Sequence, residues 1–144
     1  MPGRIEKRFV DKLIESFSGV RGVRIITQKH ELPDVFRETT FFSYEPDVVI
    51  LVDDKITHVV EVETDPVRKA LVGGACTCAY FTKKNLSNEK PKLYFAIGER
   101  GSEQLAKFQA RKKILDEFFK EIFSDIRIES QGRVLELLQK DLCT

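Results

Sequence analysis

Two short runs dense in Val and Ile, broken by one polar step, limit what this chain can fold into more than any other feature. Residues 46–52 read Pro-Asp-Val-Val-Ile-Leu-Val, residues 53–55 Asp-Asp-Lys, and residues 56–63 Ile-Thr-His-Val-Val-Glu-Val-Glu. β-Branched runs flanking a short polar break predict a β-hairpin. Side chains alternate along a strand, which puts Glu61 and Glu63 on one face. If residues 53–55 form the loop, Asp47 stands directly opposite Glu61; a register slip of one residue undoes that relation. In the first register, three carboxylates converge on one patch at the rim of an otherwise apolar hairpin. Like charges facing each other across strands are unfavourable, and crowding disfavours their ionised form. A divalent cation removes both penalties. The plainer reading is a set of solvated charges on a sheet edge.

The 144 residues correspond to one domain, 1–144, with 42% hydrophobic content and 11 Phe to pack it. No apolar run approaches the ~20 residues of a membrane span, and the first residues lack the apolar segment of a signal peptide. Three Cys, an odd number, do not make a disulfide framework. The expectation is a cytoplasmic, reduced protein with no membrane partner.

The net charge of +1 conceals a division along the chain. Residues 1–30 carry +4, residues 31–65 carry −8, residues 66–113 carry +8 and residues 114–144 carry −3. An acidic centre between basic flanks suits a metal site that also holds a polyanion. Ordinary solvated charge is the alternative in a chain with 33% charged residues.

Periodicity places the remaining elements. Ile5, Phe9, Val10, Leu13, Ile14 and Phe17 recur at helical spacing, and Gly19 is a stop signal. Residues 23–28 read as a strand, and 29–45 as an irregular stretch. Thr64-Asp65-Pro66 marks a helix start, with Val67, Ala70, Leu71, Ala75, Cys78, Ala79 and Phe81 on the inner side. The Gly73-Gly74 pair inside that helix predicts close approach of another backbone, from the sheet or a partner subunit. Lys83 to Lys92 reads as a basic loop, residues 93–97 as a buried strand, and Ser102 as the cap of one long helix reaching Ile122. A short strand at 126–128 and an amphipathic helix at 134–142 follow. The order is α-β-β-β-α-β-α with a small tail, an α/β fold with a mixed central sheet.

An α-β-β-β-α-β core, Pro46-Asp47 opening the second strand and Glu61-Val62-Glu63 in the third resemble the PD-(D/E)xK nuclease superfamily. Arg4-x-Glu6-x-x-x-Val10 looks like the start of archaeal Holliday-junction resolvases within it. The resemblance covers residues 4–98 and implies a restriction-endonuclease-like fold extended by C-terminal helices. It implies Mg²⁺, with Mn²⁺ as substitute, bound by Asp47, Glu61 and the Val62 carbonyl, with Glu6 as a further ligand. It further implies DNA as substrate and a homodimer. Oxygen ligands suit Mg²⁺ better than Zn²⁺, which prefers His and Cys. Such an ion polarises a scissile phosphate and activates water.

One position departs from the pattern. The family's lysine falls at Glu63. Some restriction endonucleases carry Glu there and stay active; other superfamily members have lost the lysine together with catalysis. Lys69 or Arg68, one turn into the next helix, is the nearest replacement cation. Tyr80 matches part of the Gln-x-x-x-Tyr motif of RecB-type nucleases, but Cys76 stands where their Gln would be.

The other reactive side chains read as structural. Cys76 and Cys78 lie about 200° apart on a helix, a poor chelating pair, and with Cys143 they read as small buried hydrophobes. His58 shares a face with Val60 and Val62, away from the carboxylates. His30 has no nameable partner, and Pro33-Asp34 lacks a strand leading to a Glu-x-Glu. The basic run from Lys107 to Lys113 reads as a wet helix face.

Overall fold

Helix α1 (Arg4–Phe17) follows its apolar period: Phe9, Val10, Leu13 and Phe17 are buried, while Lys7, Arg8, Asp11 and Lys12 face solvent. The computed structural model describes residues 4–28, 31, 46–63, 68–85, 90–98 and 104–143. After α1 come strands β1 (Val23–Ile26), β2 (Val48–Val52) and β3 (Lys55–Glu63), then helix α2 (Arg68–Asn85) and strand β4 (Lys92–Ile97). Two short helices, α3 (Leu105–Gln109) and α4 (Lys112–Phe119), lead to β5 (Asp125–Ser130) and α5 (Gln131–Leu142).

The five strands form one sheet in the order β1-β2-β3-β4-β5. β1, β2 and β3 are antiparallel neighbours, and β4 and β5 continue parallel to β3. Both parallel steps run in the same direction across the sheet. Crossovers of one hand therefore put their helices on one face. That face holds Leu71, Ala75, Cys78 and Ala79 of α2, Phe108 of α3 and Leu115 of α4, packed on Val49, Val59, Leu93, Phe95 and Ile128. α1 and α5 cover the opposite face through Leu13, Phe17, Val134 and Leu138, on Val48, Ile50, Val60, Val62 and Tyr94. The chain is thus α/β, a mixed sheet flanked by helices on both faces. Buried on both sides, β2 is a continuous apolar run rather than an alternating one.

The hairpin departs from expectation in an instructive way. The turn has two residues, Asp53 and Asp54, at φ 51° and 65°. Two consecutive positive φ values are the signature of a type I′ turn. A two-residue turn alone would set Asp47 against Val60. The register instead shifts between Ile50 and Leu51: Leu51 pairs with Ile56, whereas Ile50 pairs with His58. Thr57 is the extra residue of a β-bulge. It restores the pairing of Val48 with Val60, so Asp47, one position on, stands opposite Glu61.

Three further expectations need correction. The long helix is broken: Arg111 N–H donates to the Phe108 carbonyl at 3.0 Å and Ile114 N–H to that of Arg111 at 3.1 Å. These three-residue steps tighten the backbone between α3 and α4. The basic loop starts later than Lys83, because α2 continues to Asn85. Of the glycine pair, Gly74 lies over the Phe95 ring, where an added Cβ would sit 3.4 Å from Cε1, and Gly73 faces open space. At Gly74 it is a side chain, not a backbone, that approaches. Thr64-Asp65-Pro66, Ser102, His30 and Pro33-Asp34 lie outside the described residues.

Candidate functional site

Alternation and the bulge together decide which side chains meet at the end of the hairpin. Val49 and Val59 are direct partners on the α2 face. Asp47, two residues before Val49, and Glu61 and Glu63, two and four after Val59, share that face. Pro46 has no N–H to extend the ladder, and the Asp47 side chain takes over: its Oδ2 accepts from the Val62 N–H at 2.8 Å. The Glu63 carbonyl accepts from Gly98 N–H at 2.8 Å, on the β4 side. Backbone groups of neighbouring residues project to opposite sides of a strand. The Val62 carbonyl therefore faces the β2 side, where Asp47 sits.

Glu61 is 8% exposed, and it and His58 are the buried polar side chains among the described residues. Glu61 is set in apolar surroundings, beside Phe95 in the parallel ladder and two residues from Val59. Burial of a carboxylate is costly unless cations or hydrogen-bond donors compensate it. Asp47 and Glu63 are half-buried. Glu6 and Lys69 lie in the first turns of α1 and α2, as does Arg68 in α2, and their side chains are outside the described part of the structure. Among the described residues, no group of three or more His, Cys, Asp or Glu side chains is placed to hold a metal ion. The converging set is therefore two facing carboxylates, Asp47 and Glu61, with Glu63 one pleat further.

The opposite face of β3 holds a polar knot that sequence reasoning missed. His58 Nε2 is 3.0 Å from Asp141 Oδ2, Tyr94 donates its hydroxyl to the same oxygen at 2.5 Å, and Lys92 Nζ reaches Oδ1 at 3.1 Å. The His58 ring meets Tyr94 edge-on at 5.3 Å, and its Nδ1 is 2.8 Å from Thr57 Oγ1. Burial pushes the His58 pKa below its ordinary value, against the hydrogen bond and charge of Asp141. A neutral ring then donates from Nε2 to Asp141 and accepts from Thr57 at Nδ1. Burial alone would raise the Asp141 pKa. Hydrogen bonds from Tyr94, His58 and Lys92, with the charge of Lys92, outweigh it and hold the carboxyl below the usual range. Burial and the Asp141 hydrogen bond push the Tyr94 hydroxyl up. The expectation that His58 lies away from the carboxylates holds. The only signal for its partners was the parallel pairing, which sets His58 beside Lys92 and Val60 beside Tyr94.

A cleft of about 430 Å³ opens between Lys90, Phe119, Phe123 and Asp125, at the end where β4 and β5 begin and away from the carboxylates. Cys78 is buried as expected, whereas Cys76 and Cys143 are exposed. No described helix is long and apolar enough to cross a membrane. What the fold and site define is an α/β domain with a helix-flanked mixed sheet and an acidic hairpin rim. Neither protein-family models, curated proteins nor solved structures yield a match to this chain.

Proposed function

We propose that this chain is a metal-dependent DNA endonuclease of the restriction-endonuclease-like kind, acting on branched or junction DNA. The observation that carries the reading is the placement of Glu61, a carboxylate buried on a sheet face and facing Asp47 across the ladder. The strand order also supports it: three antiparallel strands, then a helical crossover to a parallel fourth, with the acidic residues where the second strand begins and the third ends. The donor set fits Mg²⁺, which keeps several waters and needs one or two carboxylates plus substrate phosphate. Asp47, Glu61 and the Val62 carbonyl would hold it, and the family resemblance adds Glu6 as a further ligand. The ion would supply Lewis acidity at the scissile phosphate and a lowered water pKa.

The chain's own contributions are then distinct. The Val62 N–H fixes the orientation of the Asp47 carboxylate at the hairpin rim. Glu63, in place of the family lysine, orients the attacking water and takes its proton. Lys69 or Arg68 supplies the cation that the lysine would have given.

The test is incubation of labelled four-way junction, duplex and single-stranded DNA with Mg²⁺, Mn²⁺ or EDTA, with Asp47→Ala and Glu61→Ala beside the wild type. Metal-dependent cutting by the wild type, lost in both variants, is expected. Cutting that survives in the variants sinks the assignment. A second reading, a nuclease-fold scaffold that binds DNA without turnover, is favoured by Glu63 standing at the lysine position. It predicts salt-dependent binding that persists in EDTA with no product in any lane.

A further inference from the structure

The turn from α4 into β5 carries aromatic and charged side chains that the carboxylate rim does not use. Ile122 and Phe123 N–H both bond the Phe119 carbonyl, at 2.9 and 3.0 Å. The Phe123 ring meets that of Phe119 edge-on, with centroids 6.4 Å apart. The segment before β4 ties the turn from the other side. Ser124 N–H donates to the Pro91 carbonyl at 3.1 Å, and Lys90 Nζ to the Lys120 carbonyl at 3.2 Å. These tied residues line the cleft of about 430 Å³, a size within the ~300–1,000 Å³ of small-molecule sites. Phe123 and Ile126, 3% and 1% exposed, anchor its apolar wall in the core, and the half-buried Phe119 completes that wall.

Charge then selects what such a cleft takes. Lys90 and Lys120 line it together with Asp116 and Asp125. Both carboxylates are already matched, since Lys112 Nζ lies 2.6 Å from Asp116 Oδ2 and 3.3 Å from Asp125 Oδ1. Neither Lys90 nor Lys120 has an ion pair among the described residues. Three ammonium groups against two carboxylates leave one positive charge in excess, at the Lys90–Lys120 end. A monoanion balances it. A phosphate monoester, at about −1.5 to −2 near neutral pH, overshoots it and is repelled by the two Asp. Phenyl rings in the wall favour an aromatic body, which gains ring–ring contact beyond its buried area. We infer that this cleft binds a small aromatic carboxylate, its ring against Phe119 and its carboxylate on Lys90 and Lys120. The inference does not rest on the nuclease reading: the cleft lies where β4 and β5 begin, and Glu61 and Glu63 lie beside the far half of β4.

Titration of the full chain with naphthoate, followed by backbone amide NMR shifts, tests it. Saturable shifts should centre on residues 116–126 and 90–92, with a Kd of about 1 mM or tighter for a ligand of about 13 heavy atoms. Lys90→Glu combined with Lys120→Glu places two carboxylates where the anion would sit and should weaken binding about tenfold or more. Both lysines are exposed, so circular dichroism and thermal melting of the double variant should match the wild type. Naphthylmethylamine, the same ring bearing a cation, should bind the wild type about tenfold more weakly and should prefer the double variant. Acetate, the anion without the ring, should give no saturable shift over the same range. A wild type that shows no saturable shift with naphthoate overturns the inference. So do shifts centred elsewhere, binding that survives the charge reversal, or naphthylmethylamine or naphthyl phosphate binding as tightly as naphthoate.

Discussion

Asp141 lies in the last turn of α5, where a negative charge opposes the helix dipole at a cost of ~0.3–1 kcal/mol. Nothing local explains a carboxylate there; the three donors it gathers from β3 and β4 do. In Asp141→Ala the Tyr94 hydroxyl and His58 Nε2, on residues 2% and 4% exposed, lose their acceptor. Each stranded buried donor costs ~1–3 kcal/mol. Lys92, a third exposed, turns to water and adds less than ~1 kcal/mol. The expected loss is ~3–5 kcal/mol, a large part of the ~5–15 kcal/mol that holds a domain together. Asp141→Asn should cost only ~1–2 kcal/mol. Its amide oxygen still accepts from Tyr94, and its NH₂ can donate to His58 once the ring proton moves to Nδ1 and Thr57 becomes the acceptor. Urea unfolding followed by circular dichroism near neutral pH measures both. An alanine variant within ~0.5 kcal/mol of the wild type would refute the reasoning.

The same knot sets how stability varies with pH. His58 has a folded pKa below 6.5, chiefly through burial. The unfolded chain therefore takes up a proton that the folded chain refuses, and stability falls as pH drops through 6.5 toward the folded value. The folded Asp141 pKa lies below its ordinary 3.8, which adds a second loss as pH falls through that value. For Tyr94 the sign reverses. Its folded pKa is raised, so the unfolded chain gives up its proton first and stability falls as pH climbs above 10.

Two more perturbations probe the hairpin. Asp54→Gly relieves a left-handed residue at φ 65° in the second turn position and should stabilise by ~0.5–1 kcal/mol, seen as a rise in Tm of a few degrees; an unchanged or lower Tm contradicts the turn assignment. Deleting Thr57 removes the bulge, forces the ladder out of phase and should cost ~2 kcal/mol or more in urea. Wild-type stability in that deletion would mean that the register is not fixed there.

The legible parts of the chain were those whose determinants are local. α1, β4, β5 and α5 follow from period, although α5 starts three residues before the expected 134, where the Ser130 hydroxyl accepts from the Arg133 N–H at 3.2 Å. The Asp47–Glu61 pairing was also readable, although a three-residue loop was not its cause. An extra residue in the loop and an extra residue in the strand leave the same register beyond them, and Asp-Asp is not the Asn-Gly that announces a two-residue turn. The α3–α4 break contains no Gly or Pro to mark it. The Asp141 knot joins residues 83, 49 and 47 positions apart, and only the β3–β4–α5 packing brings them together.

β3 carries both arrangements on one strand, and the bulge keeps them apart. Ile56 and Val59 pack in the same layer although they are three positions apart, because Thr57 absorbs half a period. Without it, Asp47 would share a face with Val60 and Val62, under α1 and α5, while Glu61 faced α2. The two faces then answer different demands. On the His58 side the Asp141 carboxylate meets donors from His58, Tyr94 and Lys92, which is what stability requires of a buried polar group. On the Glu61 side a carboxylate occupies a buried position between Val59 and Phe95. Glu61 is the residue on which the proposed nuclease activity turns, and cleavage by the Glu61 variant is the measurement that decides it.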